Sequence, residues 1–330
     1  MPKKVLITDY VWPNVQAEKT ILAEADVEVV TSPDSSEKTL SDLARDVEGI
    51  LTCFAKVTSK VIQAAERCVV ISRYGVGVDN IDVQTATDLG IHVTYVPDYC
   101  VPEVSDHVMG LVLAWNRRIV LFDRTTKTIG WGAEGLGMRI MRLDGKTLGI
   151  IGFGRIGRAV AAKARAFGME ILVADPFITT AGAQQSGARK TELQELLRKS
   201  HFVTLHAPLV AETTKLVGEK EFELMRHDSF LINAARGGLV DEDALYKALT
   251  SDQIAGAGLD VLVELTPGLD HPLLSLKNTI ITPHTAFFSQ EAVLELQERA
   301  AREVVAVLQG KTPQNLVTPK DLDHARVHLV

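Results

Sequence analysis

The sequence predicts an α/β protein of two domains, each a doubly wound parallel sheet. Three observations lead there. Short apolar runs alternate with helix-permissive segments along nearly the whole chain, the pattern of parallel strands joined by crossover helices. One stretch, residues 147–175, reads as strand, glycine-rich turn, helix and second strand, the unit that holds a dinucleotide. At 330 residues the chain has room for two cores, so two domains are expected.

In chain order, the runs at 5–8, 49–53, 69–72 and 92–96 are the strands of a first unit, the last stopped by Pro97. No GxGxxG follows its first strand, so this unit is not expected to bind a nucleotide. Residues 101–128 read as one long helix with Pro102 in its first turn. Its apolar content is too broad for a one-sided surface helix, which points to burial on more than one side, as in a domain bridge or a dimer interface. A glycine-rich loop at 130–137 and a turn at 143–146 lead into the dinucleotide strand. Beyond it, helices at 191–199, 220–225 and 241–249 alternate with strands at 202–206, 229–233, 255–260 and 279–282. The last helix, 289–309, is stopped by Gly310 and is expected to return to the first domain. Residues 1–100 plus 290–330 then form one discontinuous domain and 101–289 the other, with hinges near 97–100 and 288.

Within 147–175 each part has a physical task. The apolar run 147–151 passes into Gly152-Phe153-Gly154-Arg155-Ile156-Gly157, then a helix at 158–167 and a second run at 171–174 ending on Asp175. Gly152 permits the tight turn, Gly154 lets the backbone approach a pyrophosphate, and Gly157 lets helix and strand pack closely. The amides at the helix start face the phosphates, with the positive end of the helix dipole behind them. Asp175 can accept hydrogen bonds from the adenosine ribose hydroxyls and would repel a 2′-phosphate, which favours NAD over NADP.

Composition removes other classes. A net charge of −7 and the absence of any Lys/Arg run leave no electrostatic footprint for nucleic acid or an anionic membrane. Cys53, Cys68 and Cys100 form no CxxC and no histidine stands at metal spacing, so no metal site is expected and the thiols read as apolar fillers in a reducing compartment. The opening MPKKVLITDYVW has too short an apolar run for a signal peptide, and a cytoplasmic location is expected.

Two later strand ends carry residues suited to acid chemistry. Asn233-Ala234-Ala235-Arg236-Gly237-Gly238 puts an arginine where open α/β sheets bind ligands, and its planar fork suits a carboxylate. A surface pair with Asp241 or Glu242 is the plainer alternative. Thr282-Pro283-His284-Thr285-Ala286-Phe287-Phe288 puts a histidine at another strand end, able to hand a proton to a carbonyl oxygen. His206 also ends a strand of the dinucleotide unit. The remaining histidines, His107 among them, read as packing or surface residues.

These motifs, together with Arg73-Tyr74-Gly75-Val76-Gly77-Val78-Asp79-Asn80-Ile81-Asp82, His206-Ala207-Pro208-Leu209, and Gly258-Leu259-Asp260-Val261, resemble the D-isomer-specific 2-hydroxyacid dehydrogenases in the same order over nearly the whole chain. The resemblance implies a flavodoxin-like substrate domain and a Rossmann NAD domain with a cleft between them, and a homodimer. It implies that Arg236 holds the substrate carboxylate, that His284 is the acid/base, and that Tyr74, Gly75, Val76 and Gly77 help to bind substrate. It implies an NAD site lined by Arg155, Ile156, Asp175, His206, Pro208, Thr213, Ala234, Arg236, Asp260 and His284. The aromatic pair Phe287-Phe288 resembles the C-terminal-binding-protein-like branch, which makes Phe287 a candidate wall of the substrate pocket, with core packing as the alternative.

One family position departs. The glutamate expected five residues after the aspartate of Gly-Leu-Asp-Val is Leu265, and the nearest carboxylate candidate is Glu264. With an apolar neighbour in place of an acid, His284 is expected to stay mostly neutral at neutral pH. The reading is an NAD-dependent oxidoreductase acting on a small 2-hydroxy or 2-oxo acid. Its rivals are an NAD(H)-sensing protein of the corepressor type and an enzyme oxidising a non-carbon acid such as phosphite.

Overall fold

The computed structural model describes residues 2–132, 140–322 and 324–330. Most of the glycine-rich loop expected at 130–137 lies outside the described residues. The chain divides into two compact units, Met1–Tyr99 with Ser289–Val330 (unit 1) and Cys100–Phe288 (unit 2).

Unit 1 holds β1 (Lys3–Ile7), β2 (Val27–Thr31), β3 (Gly49–Thr52), β4 (Val70–Arg73) and β5 (His92–Thr94). They are parallel throughout, in the order β2-β1-β3-β4-β5, which is the flavodoxin-like order. β3 and β4 are buried at every position, although β3 ends on Thr52 and β4 on the polar Ser72 and Arg73. β2 was not expected: it is the edge strand, buried only at Val27, and its Val-Glu-Val-Val-Thr carries too little core signal to stand out. The helix Gln290–Leu308 packs on β3, β4 and the helix Gln16–Ala23. Ser289 caps it by accepting from the Ala292 amide at 2.9 Å, a typical N-cap bond.

Unit 2 holds β6 (Thr147–Ile151), β7 (Glu170–Ala174), β8 (Arg189–Lys190), β9 (Phe202–Leu205), β10 (Phe230–Asn233), β11 (Gly256–Leu259) and β12 (Thr279–Ile281). The sheet is parallel in the order β12-β11-β10-β9-β6-β7-β8. The connections reverse direction between β6 and β9, the switch point at which such sheets bind nucleotides. Alternate strand residues feed two cores. Ile150, Phe202, Phe230 and Ile232 meet Val108, Val112 and Trp115 on one face, while Ile151, Leu205, Leu231 and Leu259 meet Leu196, Leu245 and Leu249 on the other. Each such buried side chain contributes about 1.5–3 kcal/mol. β8, only two residues long, was missed for want of any periodic signal.

The long helix expected over 101–128 is two helices, Val101–Asn116 and Ile119–Thr128. Arg118 takes a left-handed backbone, φ 56°, and its guanidinium lies 4.0 Å over the Trp115 ring. That turn and cation–π contact end the first helix. The first helix is buried at Val104, Val108, Met109, Leu111, Val112 and Trp115 and packs on the helix Arg155–Ala166, β10 and β11. The second has no buried residue. No helix among the described residues is long and apolar enough to cross a membrane.

Candidate active site

The glycine turn leaves the end of β6, and Gly152 has φ 89°. A Cβ there would stand 2.6 Å from the Ala207 amide nitrogen and 2.7 Å from the His206 carbonyl carbon, so both conformation and space require glycine. Gly157 lies so close under the turn that a Cβ would reach 2.5 Å from the Gly152 carbonyl oxygen. At Gly154 the opposite holds: a Cβ would meet nothing within 4 Å. The helix Arg155–Ala166 follows with no side-chain cap, which leaves its first amides, those of Arg155 and Ile156 among them, open to an anion. An open cradle with uncapped amides fits a pyrophosphate.

Asp175 does more than wait for a ribose. Its Oδ2 accepts the Phe153 amide at 2.6 Å and its Oδ1 the Phe177 amide at 2.7 Å. The carboxylate therefore ties the glycine turn to the end of β7. Each oxygen keeps a lone pair for a hydroxyl.

On the far side of the switch point, His206 follows directly on β9 with Nε2 3.0 Å from Thr204 Oγ1. Burial pushes its pKa down to about 4, so the ring is neutral across the physiological range. The Thr213 hydroxyl is spent on its own turn: it donates to the Pro208 carbonyl at 2.6 Å and accepts the Val210 amide at 2.9 Å. Thr213 thus shapes the 208–213 loop, and Ala234 stands half-buried one residue past β10.

The acid-chemistry motifs leave the ends of adjacent strands, and main-chain bonds join them. The Asn233 carbonyl accepts the Asp260 amide at 2.9 Å, and the Asp260 carbonyl accepts the His284 amide at 2.8 Å. Arg236 is set by Asn233, whose side chain donates to the Arg236 carbonyl at 2.8 Å and accepts the Ala235 amide at 3.1 Å. Gly237 lets this turn lie against the 262–263 backbone, since a Cβ would fall 2.1 Å from the Leu262 carbonyl carbon. The acids offered as surface partners for Arg236 have other work. Asp241 pairs with Lys215 at 2.9 Å, and Glu242 accepts the Val263 amide at 2.6 Å with His271 Nε2 at 3.4 Å.

Asp260 is 2% exposed and organises the histidine turn. Its Oδ1 accepts from Thr282 Oγ1 at 2.5 Å and the Thr285 amide at 3.0 Å, and its Oδ2 from the Ala286 amide at 2.9 Å. Sequence reasoning treated Asp260 only as an NAD-lining residue and did not single out Thr282. The signal is a strand-end aspartate whose partners lie more than 20 residues away, which no local pattern reveals. His284 has φ 54°, a left-handed conformation uncommon for a non-glycine residue. Its ring meets Phe287 edge-on, with centroids 6.1 Å apart. Phe287 is buried while Phe288 is half-exposed, so Phe287 packs against the imidazole, a place that suits core packing and a pocket wall alike. Glu264 and Leu265 lie exposed on the 263–266 bend, and the Glu264 carboxylate meets no donor among the described residues.

In unit 1, Tyr74 corrects an expectation. Its ring is 1% exposed and its hydroxyl donates to Glu18 Oε1 at 3.0 Å, while Gln297 donates to Glu18 Oε2 at 2.8 Å. The side chain is fixed in the core of unit 1 and cannot face a substrate. Gly75 beyond it has φ 135°, and the turn leaves the amides of Val76 and Gly77 with no protein acceptor among the described residues.

The family model described as "D-isomer specific 2-hydroxyacid dehydrogenase, NAD binding domain" matches residues 109–286. A glyoxylate reductase of Thermococcus litoralis is 37% identical over 324 residues, 96% of this chain and 97% of that protein. A D-3-phosphoglycerate dehydrogenase of Methanocaldococcus jannaschii is 38% identical over 98% of this chain, but the chain spans only 61% of that relative's length. A D-lactate dehydrogenase crystal structure from Aquifex aeolicus, complexed with NAD and lactic acid, superposes with a TM-score of 0.87 at 27% identity, covering 97% of this chain and 100% of that one. The corepressor and phosphite readings find no support among these relatives, and the link to the corepressor branch rests on Phe287-Phe288 alone. NAD is the cofactor that the matched domain and the open glycine cradle share, and the chain belongs to the D-isomer specific 2-hydroxyacid dehydrogenase family.

Proposed function

We propose that this NAD-dependent dehydrogenase reduces a small 2-oxo acid, glyoxylate before others, to the 2-hydroxy acid. The observation that carries the reading is the stitching of Arg236, Asp260 and His284 along one edge of β10, β11 and β12. The near full-length relative named a glyoxylate reductase supports the choice of acid. When bound, NADH supplies the hydride. Arg236 holds the carboxylate through its planar fork and, by its charge, draws electron density toward the carbonyl oxygen. The open amides of Val76 and Gly77 support an anion-binding role for the 74–77 turn of unit 1. His284 gives its proton to the oxygen as the alcohol forms and takes it back in oxidation. Asp260 Oδ2 keeps one lone pair beyond the Ala286 amide, enough to accept a carboxamide N–H of the nicotinamide.

We further propose a homodimer. The helix Ile119–Thr128 buries none of its residues, and Ile119, Val120 and Leu121 are exposed, with Trp131 98% exposed just beyond. Such an apolar surface marks an association site. A monomer mass by light scattering at micromolar concentration contradicts it. Three buried free thiols support a reducing, cytoplasmic location. The test of the activity is NADH oxidation against a panel of small 2-oxo acids, with glyoxylate expected among the best.

A further inference from the structure

His107 belongs to no motif described above. It lies on the helix Val101–Asn116, far from β11 in the sequence, yet its Nε2 is 3.0 Å from Thr282 Oγ1 and 3.6 Å from Asp260 Oδ1. Thr282 Oγ1 is 2.5 Å from Asp260 Oδ1. Proton directions follow from chemistry. An ionised carboxylate only accepts, so the Thr282 proton points at Asp260, and Thr282 Oγ1 then has only lone pairs to offer His107. His107 must donate through Nε2–H. The relay runs from His107 through Thr282 to Asp260, and Asp260 in turn fixes the Thr285 and Ala286 amides that follow His284.

His284 needs such fixing. A non-glycine residue in the left-handed region costs about 1–3 kcal/mol and persists where its surroundings over-determine it. Two main-chain bonds on the His284 amide, to Asp260 O at 2.8 Å and Thr282 O at 3.0 Å, join the three side-chain bonds on Asp260. The family's orienting glutamate is absent at Leu265, which is 53% exposed.

We propose that His107, Thr282 and Asp260 form a positioning cluster that fixes the backbone of His284 and aims its imidazole at the substrate oxygen. The orientation that Leu265 cannot supply comes from this side. His107 and Thr282 are positioning residues, acting through Asp260 and the 282–286 turn. The inference rests on the reading of His284 as the acid/base.

The test is steady-state glyoxylate reduction by His107→Leu, His107→Gln, Thr282→Val and the His107→Leu/Thr282→Val double variant, with NADH affinity measured by fluorescence titration. His107→Leu should lower kcat about tenfold, the equivalent of one lost hydrogen bond of about 1.4 kcal/mol. Glyoxylate KM and NADH affinity should stay within about twofold, because His107 acts only through Thr282 and Asp260 on the His284 turn. His107→Gln, whose amide nitrogen can stand where Nε2 stood and donate the same bond, should restore most of kcat. Thr282→Val, nearly isosteric, should match His107→Leu, and the double variant should be no slower than the slower single, as links of one relay are not additive. Wild-type kcat in His107→Leu overturns the proposal, as does a loss confined to NADH affinity or a glutamine variant that recovers nothing. If His107→Leu does not fold, the glutamine and valine variants carry the same comparison. A wild type inactive on every 2-oxo acid overturns the dehydrogenase reading and this inference with it, whereas an active wild type with unchanged variants overturns this inference alone.

Discussion

At the β6–β7 end of the seven-stranded sheet the ligand cradle is shaped by backbone. Gly152 turns at φ 89°, Gly154 faces open space, and the helix start carries no capping side chain. At the β10–β12 end the shape is made by side chains. Asn233 holds the Arg236 turn, and Asp260, Thr282 and His107 hold the His284 turn. The first design writes itself into adjacent residues, because no side chain fits at Gly152 or Gly157 and Gly154 must leave its space open to the ligand. The second is spread over residues 107 to 286, and each bond could be made by several residue types. A cofactor common to many enzymes can be met by a fixed backbone form, while a reacting group needs aim, and aim is set by bonds that converge from distant segments.

The largest effect separates the two ends by function. Arg236→Ala should lower kcat/KM for the 2-oxo acid about 10³-fold, since truncating one partner of a hydrogen-bonded charge pair costs about 2–5 kcal/mol. NADH affinity should be nearly unchanged. Arg236→Lys should recover only part, as a point charge cannot reproduce the fork. An Arg236→Ala enzyme that loses NADH affinity as much as turnover would erase the division. The mirror experiment is Gly152→Ala, where strain at positive φ and the collision with the Ala207 amide act together. It should lower the thermal midpoint and weaken NADH binding, at a cost of about 1–3 kcal/mol from the strain alone, and calorimetry with and without NADH reads both.

The same contrast explains what was legible. Nearly every buried strand of both sheets stands in the sequence as an apolar run, and the glycine turn, Asp175, Arg236 and His284 could be named from local pattern. The edge strands β2 and β8 could not, because half-buried or two-residue strands carry no period. The break at Arg118 was hidden because arginine gives no warning of a left-handed turn. Tyr74 was misread because its motif places its backbone, while burial against Glu18 and Gln297 decides its side chain. His107 looked like one more helix residue, and only the third dimension brings it to Thr282.

Smaller effects sharpen the comparison. Asp175→Ala removes the bonds to the Phe153 and Phe177 amides as well as any bond to ribose. It should weaken NADH binding about tenfold, about 1.4 kcal/mol, and narrow the preference over NADPH, for which equal wild-type affinity is the contrary result. At the junction of the two ends, His206 titrates near 4 when folded and near 6.5 when unfolded. The unfolded chain therefore binds more protons between those values, so the His206 contribution to stability is full above about pH 6.5 and is lost as pH falls toward about 4. His206→Asn should flatten the fall of thermal midpoint over that window, and an unchanged slope contradicts it. The smallest shift concerns the absent acid. Leu265→Glu puts a carboxylate at the family position and should move the upper pH limit of reduction upward by about one unit. Glu264→Gln should do little, because Glu264 meets no donor among the described residues. Loss of turnover in Glu264→Gln with no response to Leu265→Glu assigns the working carboxylate to Glu264 instead.

The central claim is that Arg236 and His284 act together on a 2-oxo acid while the pyrophosphate of NAD is held at the glycine turn of the same sheet. Its most direct measurement is stopped-flow single-turnover reduction of glyoxylate with enzyme-bound NADH, comparing wild type with His284→Gln. The wild type should oxidise its bound NADH when glyoxylate is added. The His284→Gln enzyme should bind NADH equally well, yet oxidise it at least about 10²-fold more slowly, the usual scale for loss of a general acid. Equal single-turnover rates in the two enzymes would contradict the account.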